Sequence, residues 1–207
     1  MPDALPVFEV ENLTVDYGPV RAVEGVSFAV RAGETLGLVG ESGSGKSTFL
    51  SLLCGVIQPD SGRIEINGVD TSRLSTAARD HFRAEHFGVV FQMFNLLPYA
   101  SVLDNILLPL NFAAKRRARV GTGAVARQEA ERLMTNLGLD AARLSSARAD
   151  TLSVGQQQRV AVARALIGRP EIVRTAFAVH TYHPVFEALV HHPRFVEPAE
   201  QMLRDRT

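Results

Sequence analysis

The sequence predicts an α/β protein organised around a strand, a glycine-rich loop and a helix. Three observations carry this. Residues Gly40-Glu41-Ser42-Gly43-Ser44-Gly45-Lys46-Ser47-Thr48 fit the spacing G-x-x-x-x-G-K-[ST]. The short run Glu34-Thr35-Leu36-Gly37-Leu38-Val39 before them reads as a buried strand, and Phe49-Leu50-Ser51-Leu52-Leu53-Cys54 after them as the first turns of a helix. Ahead of both, Val7 to Tyr17 and Val20 to Val30 alternate apolar and polar residues, as half-buried antiparallel strands do.

The bulk properties narrow the class. A chain of 207 residues suffices for one domain with a full core, or a core plus a small subdomain. The 22 Lys and Arg balance the 22 Asp and Glu, so no general attraction to nucleic acid or anionic lipid is expected. The single cysteine, Cys54, excludes a disulfide framework and, among Leu52, Leu53 and Val56, reads as a core thiol. Met1 to Pro6 lacks a basic region followed by an apolar stretch, so no signal peptide is expected. The most apolar longer run, Ile106 to Ala114, is too short and broken to span a bilayer. The expected location is cytoplasmic, with membrane association through a partner.

The elements follow in order. Gly18-Pro19 is the turn between the first two strands, and Arg31 to Glu34 leads into the loop strand. The helix from Ser47 ends near Gly55. Pro59-Asp60-Ser61-Gly62 is a turn, and Arg63 to Gly68 a short strand with its exit. Thr76 to His86 is a helix with Thr76 as N-cap, and Gly88 to Phe91 a buried strand with Gln92 at its end. From Asn95 to about Leu152 the texture is helical. Ser101 caps a helix to Leu107, where Pro109 interrupts it. The basic run Lys115-Arg116-Arg117-Ala118-Arg119 reads as a solvated loop. Thr122 caps a helix with Ala126, Ala130, Leu133, Met134 and Leu137 on one face, ended by Gly138. Ser153 opens a further helix, Gly155 to Ile167, stopped by Gly168-Arg169-Pro170.

The chemistry begins at the glycine-rich loop. Its glycines let successive N–H groups converge as an anion nest, and the helix start adds partial positive charge. Lys46 is placed to reach the β- and γ-phosphates of a nucleotide, and the Ser47 hydroxyl to hold Mg²⁺.

A second segment, Leu152-Ser153-Val154-Gly155-Gln156-Gln157-Gln158-Arg159, specifies the family. With the phosphate loop it closely resembles the nucleotide-binding subunit of ATP-binding-cassette (ABC) transporters, whose signature is L-S-G-G-Q; here Val154 replaces the first glycine. The resemblance runs from about Phe8 to Val173. It implies a P-loop NTPase core of the ABC ATPase type, with an antiparallel β subdomain and an inserted α-helical subdomain at about 95–155. It implies ATP and Mg²⁺ as cofactors. The implied nucleotide contacts are Tyr17, stacking on adenine, residues Gly40 to Thr48, and Gln92, which touches Mg²⁺ and the attacking water. Ser153, Gly155 and Gln156 face the γ-phosphate held by a second cassette in a head-to-tail dimer. Ser47 and Gln92 are the metal contacts. Phe91 to Leu110 looks like the lipoprotein-release and macrolide-export branch, where this region lies beside the groove for a membrane permease. The implied place is the inner face of the cell membrane.

The chain also departs from the family. A buried strand after Pro170 should end in Asp-Glu, but Glu171-Ile172-Val173 continues as Arg174-Thr175-Ala176-Phe177. By spacing Ala176 and Phe177 take the acidic places, and neither binds metal nor polarises water. No catalytic carboxylate is identified, the family's dimer-contact Asp loop is absent, and His180 comes too early for a switch histidine. His180, His183, His191 and His192 read as surface histidines rather than zinc ligands, there being no Cys or carboxylate at ligand spacing. The expectation is therefore an ABC domain at 1–173 and a tail at 174–207 unlike the family, arising from a frameshift or deletion, with Ile172 to Val179 as a substitute strand. Three functions follow in order: the ATP-binding subunit of an exporter or lipoprotein-release system; a nucleotide-binding remnant that does not hydrolyse; and, last, a soluble ABC protein of DNA repair or translation, which would carry paired cassettes or long coiled coils.

Overall fold

The computed structural model describes residues 6–34, 36–38, 44–91, 93–170 and 172–175. These fall into two compact units, one of residues up to 80 and one from 81 onward.

The first unit is built on β1 (Phe8–Tyr17) and β2 (Val20–Val30), a hairpin with Tyr17 opposite Val20 and Gly18 at a left-handed φ of 58°. On the other side of β1 lies β3 (Ser61–Ile66), followed through Asn67-Gly68 by β4 (Val69–Asp70); the order is β2-β1-β3-β4, antiparallel throughout. The apolar alternation of β1 slips between Val10 and Leu13. There the register shifts, Asn12 takes φ 47°, and its N–H donates to the Ser27 hydroxyl at 2.8 Å. The slip keeps Phe8, Val10, Leu13 and Val15 all buried, together with Ile64 and Ile66 of β3. Helix α1 (Lys46–Leu53) is joined to β2 through Phe49, whose ring lies 5.7 Å from that of Phe28; Phe28 in turn stacks on Phe8 at 6.0 Å. This aromatic chain positions the start of α1, and α1 ends at Cys54 before Gly55, as its sequence predicts.

Helix α2 (Thr76–His86) has the predicted span but a different cap. Ser75 holds that place, its hydroxyl accepting the Ala78 N–H at 3.3 Å, while Thr76 is already helical. The three-residue offset from cap to acceptor-seeking N–H selects Ser75.

The second unit pairs β5 (Phe87–Val90) with β6 (Ile172–Thr175) in parallel, Phe87 opposite Ile172 and Val90 opposite Thr175. Between them run α3 (Val102–Leu107), α4 (Ala114–Val120), α5 (Ala124–Asn136), α6 (Ala141–Leu144) and α7 (Val154–Leu166). Helix α7 is the core element, with Val160, Ala161, Val162, Ala163 and Ala165 all buried, and it packs on α3, α5 and β5. Gly88 lets β5 approach its end: a Cβ there would collide with the Ala165 carbonyl. Ser101 caps α3 as expected, accepting the Asp104 N–H at 3.0 Å.

Three further expectations are corrected. Leu36, Gly37 and Leu38 carry no strand, and Leu36 is 52% exposed. A strand needs a neighbouring ladder for its backbone, and no described sheet offers one to residues 36–38. The basic run 115–119 is not a solvated loop but most of α4, with Arg116 buried. Thr122 does not cap α5 through its side chain; Gly123 takes the cap position at φ 57°, a conformation disfavoured for a β-branched residue, and Thr122 offers only its carbonyl, to Val125. Among the described residues, no helix is long and apolar enough to cross a membrane.

Candidate functional site

The described part of the phosphate loop, Ser44 to Thr48, leads directly into α1. Gly45 stands at the N-cap with φ 84°, in left-handed conformation. A Cβ at this position would run into the Ala22 carbonyl of β2, so the loop backs tightly onto the sheet and only glycine fits. No side chain caps α1, and its first turn holds no acidic residue. A helix start of this kind presents backbone N–H groups and partial positive charge to an anion, and no acidic side chain of the first turn opposes one. Lys46 is the first helical residue, with Nζ 3.0 Å from the Ser44 hydroxyl. Ser47, exposed on the same turn, is a hydroxyl ligand of the kind Mg²⁺ takes. This donor set suits a phosphate chain with a hard cation.

Tyr17 ends β1 and is 53% exposed, so its ring face is open to stacking. Its neighbour Asp16 pairs with Arg21 at 3.0 Å, and Arg21 also reaches Glu24 at 3.1 Å. The hydrogen bonds that Arg21 donates to Asp16 and Glu24 hold its guanidinium above its ordinary value.

Ser153 is the N-cap of α7 within a reciprocal capping box. Its hydroxyl accepts the Gln156 N–H at 3.3 Å, while the Gln156 side chain accepts the Ser153 N–H at 2.9 Å. Val154, in the place of the signature's first glycine, points outward at 70% exposure. The substitution therefore costs no packing.

The structure thus gathers Gly45, Lys46, Ser47 and Thr48 at one helix start in the first unit. It gathers Ser153, Gly155 and Gln156 at another in the second. Gly40, Glu41, Ser42 and Gly43 lie outside the described residues, as do Gln92, Ala176, Phe177 and the tail histidines. Phe91 and Met93, which flank Gln92, are both exposed. Among the described residues no group of three or more His, Cys, Asp or Glu side chains is placed to hold a metal ion.

Sequence reasoning missed a set of buried polar anchors in the second unit. Arg116, 2% exposed, donates to the carbonyls of Phe87 at 3.0 Å, Ala84 at 3.3 Å, Ala165 at 3.2 Å and Ile167 at 3.0 Å. Burial pushes its pKa down to about 10, Arg119 adds to this and Glu85 opposes it. Glu85, equally buried, accepts the N–H groups of Lys115 and Arg116, at 3.1 and 3.3 Å. Arg164 of α7 and Asn105 of α3 are buried as well. The available signal was an arginine inside the apolar run Val160 to Leu166, where a charge has to find partners.

A strand hairpin, an anion-binding loop opening a helix, and a second capped helix start define a nucleotide-binding α/β protein. Comparison with known proteins specifies it. The family model described as ABC transporter matches residues 23–174. The lipoprotein-releasing system ATP-binding protein LolD of Porphyromonas gingivalis is 35% identical over 167 residues, 81% of this chain and 73% of that protein. The macrolide export ATP-binding/permease protein MacB of Rhodopirellula baltica is 39% identical over 151 residues, which are 73% of this chain but 21% of that longer protein. Among solved structures, the dimeric post-hydrolysis state of the ATP-binding cassette MJ0796 with ADP and Pi superposes with a TM-score of 0.75 at 31% identity, covering 88% of this chain and 81% of that one. The chain belongs to the ABC transporter family, as an ATP-binding cassette.

Proposed function

We propose that this cassette binds Mg-ATP and couples it to a membrane permease, acting in export or in lipoprotein release at the inner face of the cell membrane. The observation that carries the reading is the uncapped, acid-free start of α1 behind Gly45, with Lys46 and Ser47 on its first turn. In this reading Gly40 to Thr48 cradle the phosphates, Ser47 and Gln92 hold Mg²⁺, and Tyr17 stacks on the base. Ser153, Gly155 and Gln156 serve the nucleotide of a second cassette in a head-to-tail dimer. The LolD and MacB relatives, a releasing system and an exporter, support the transport class. The dimeric MJ0796 cassette supports the pairing. Residues 1–173 form the ABC domain, with the helical subdomain at about 95–155 and 174–207 as a separate tail.

Equilibrium binding of Mg-ATP tests the reading. Lys46→Ala is expected to weaken it at least about tenfold, the loss of one charge-assisted phosphate contact. Equal affinity in the two proteins would refute it. Turnover measured beside binding addresses a separate question, because residues 172–186 contain no carboxylate. Lys46-dependent phosphate release would show that the chain hydrolyses the nucleotide it holds.

A further inference from the structure

The loop that follows Gln92 is held from two sides by buried polar side chains. From α7, the Arg164 guanidinium donates to the Asn95 carbonyl at 2.6 Å and to the Phe94 carbonyl. Both acceptor residues have left-handed backbones, φ 59° at Phe94 and 48° at Asn95. Such conformations are disfavoured for side-chain-bearing residues, and above all for a phenylalanine, unless the surroundings hold them. From α3, the Asn105 amide accepts the Leu97 N–H at 2.7 Å and donates to the Leu97 carbonyl at 3.0 Å. It also donates to the Ser101 carbonyl at 3.0 Å. Asn105 is fully buried and Arg164 is 9% exposed. Desolvation holds the Arg164 guanidinium below its ordinary value, and its hydrogen bonds among the described residues go to two backbone carbonyls.

A buried arginine bound to two carbonyls of a strained turn is costly to keep unless the position of that turn matters. Arg164 sits on the helix that Ser153 opens, and the turn it grips begins two residues after Gln92. Each end of this link leads to a residue assigned to nucleotide above. We infer that Arg164 is a positioning residue, whose clamp on Phe94 and Asn95 makes the Gln92 loop and the signature helix α7 respond to nucleotide as one body. The inference rests on the nucleotide roles proposed for Gln92 and Ser153. Arg164 itself touches no nucleotide.

Hydrogen–deuterium exchange of the full chain tests it, comparing wild type, Arg164→Met and Arg164→Lys with and without Mg-ATP. In the wild type Mg-ATP is expected to slow exchange at residues 93–97 and at 153–157 together. In Arg164→Met the phosphate loop still responds, while 93–97 and 153–157 no longer change in concert. Arg164→Lys, with one nitrogen for two carbonyls, restores the joint response in part, which a merely packing role would not require. A joint response that survives in Arg164→Met overturns the proposal. Without nucleotide, exchange at 94–97 is expected to quicken about tenfold in Arg164→Met and severalfold in Arg164→Lys; unchanged rates overturn the proposal as well. If Arg164→Met does not fold, Arg164→Lys alone decides on these rates. A wild-type phosphate loop that ignores Mg-ATP refutes the nucleotide reading instead, and the nucleotide-free rates still judge the clamp.

Discussion

Glu85 shows how much one carboxylate can organise. It lies near the end of α2 and accepts backbone N–H groups from the start of α4, while Arg116 from that same turn ties together α2, β5 and the end of α7. Burial alone would raise the Glu85 pKa, but the backbone donors of Lys115, Arg116 and Ala114, with His81, outweigh it and hold the carboxyl below its usual 4.5. A depressed acid stabilises the fold above its unfolded pKa, and that stability is lost as pH falls through the folded value. Thermal unfolding followed from about pH 6 to about pH 3 should therefore show a steep acid loss in the wild type and a shallower one in Glu85→Gln. At neutral pH the same variant is expected to be less stable by about 1–3 kcal/mol, since its amide cannot accept as the carboxylate does. Equal slopes would remove Glu85 from the acid response. None of this is legible in the sequence: Glu85 and Lys115 are thirty residues apart, and a run with three arginines and a lysine resembles any solvated stretch.

Among the elements, α7 is the one whose sequence and structure agree most closely. The sequence places the start of this helix at Ser153, and the structure adds reciprocal hydrogen bonds between Ser153 and Gln156. Ser153→Ala should cost about 1 kcal/mol without any nucleotide present, read as a lower unfolding midpoint in denaturant. No change in midpoint would mean the hydroxyl does not cap in solution. The cap and the proposed phosphate contact use the same hydroxyl, so nucleotide binding by a second cassette would have to compete with or extend this box. β1 was readable as a strand from its apolar alternation, while the slip at Asn12 appeared only in the ladder. Caps chosen by nearest polar residue fared worse. Thr76 and Thr122 each lost the place to a neighbour, Ser75 or Gly123, whose position or backbone suited the cap better.

For the molecule as a whole, the linkage between nucleotide and folding is the quantity to measure. A ligand bound only to the native state stabilises it by about 2.7 kcal/mol at a hundred times its Kd. Mg-ATP at that excess should raise the wild-type unfolding midpoint, while at the same concentration Lys46→Ala should shift far less; identical shifts would place the nucleotide elsewhere. The family, the phosphate loop and the signature were determined by the sequence alone. Their chemistry is local: glycines, one lysine, a hydroxyl and helix starts at fixed spacings declare themselves without a partner. Only the tertiary structure decided that residues 36–38 are not paired as a strand, that Arg116 is buried, and that Arg164 and Asn105 grip the loop after Gln92. Those outcomes depend on backbone carbonyls and ladder edges supplied from far along the chain, and a residue's own neighbours in sequence carry no record of them.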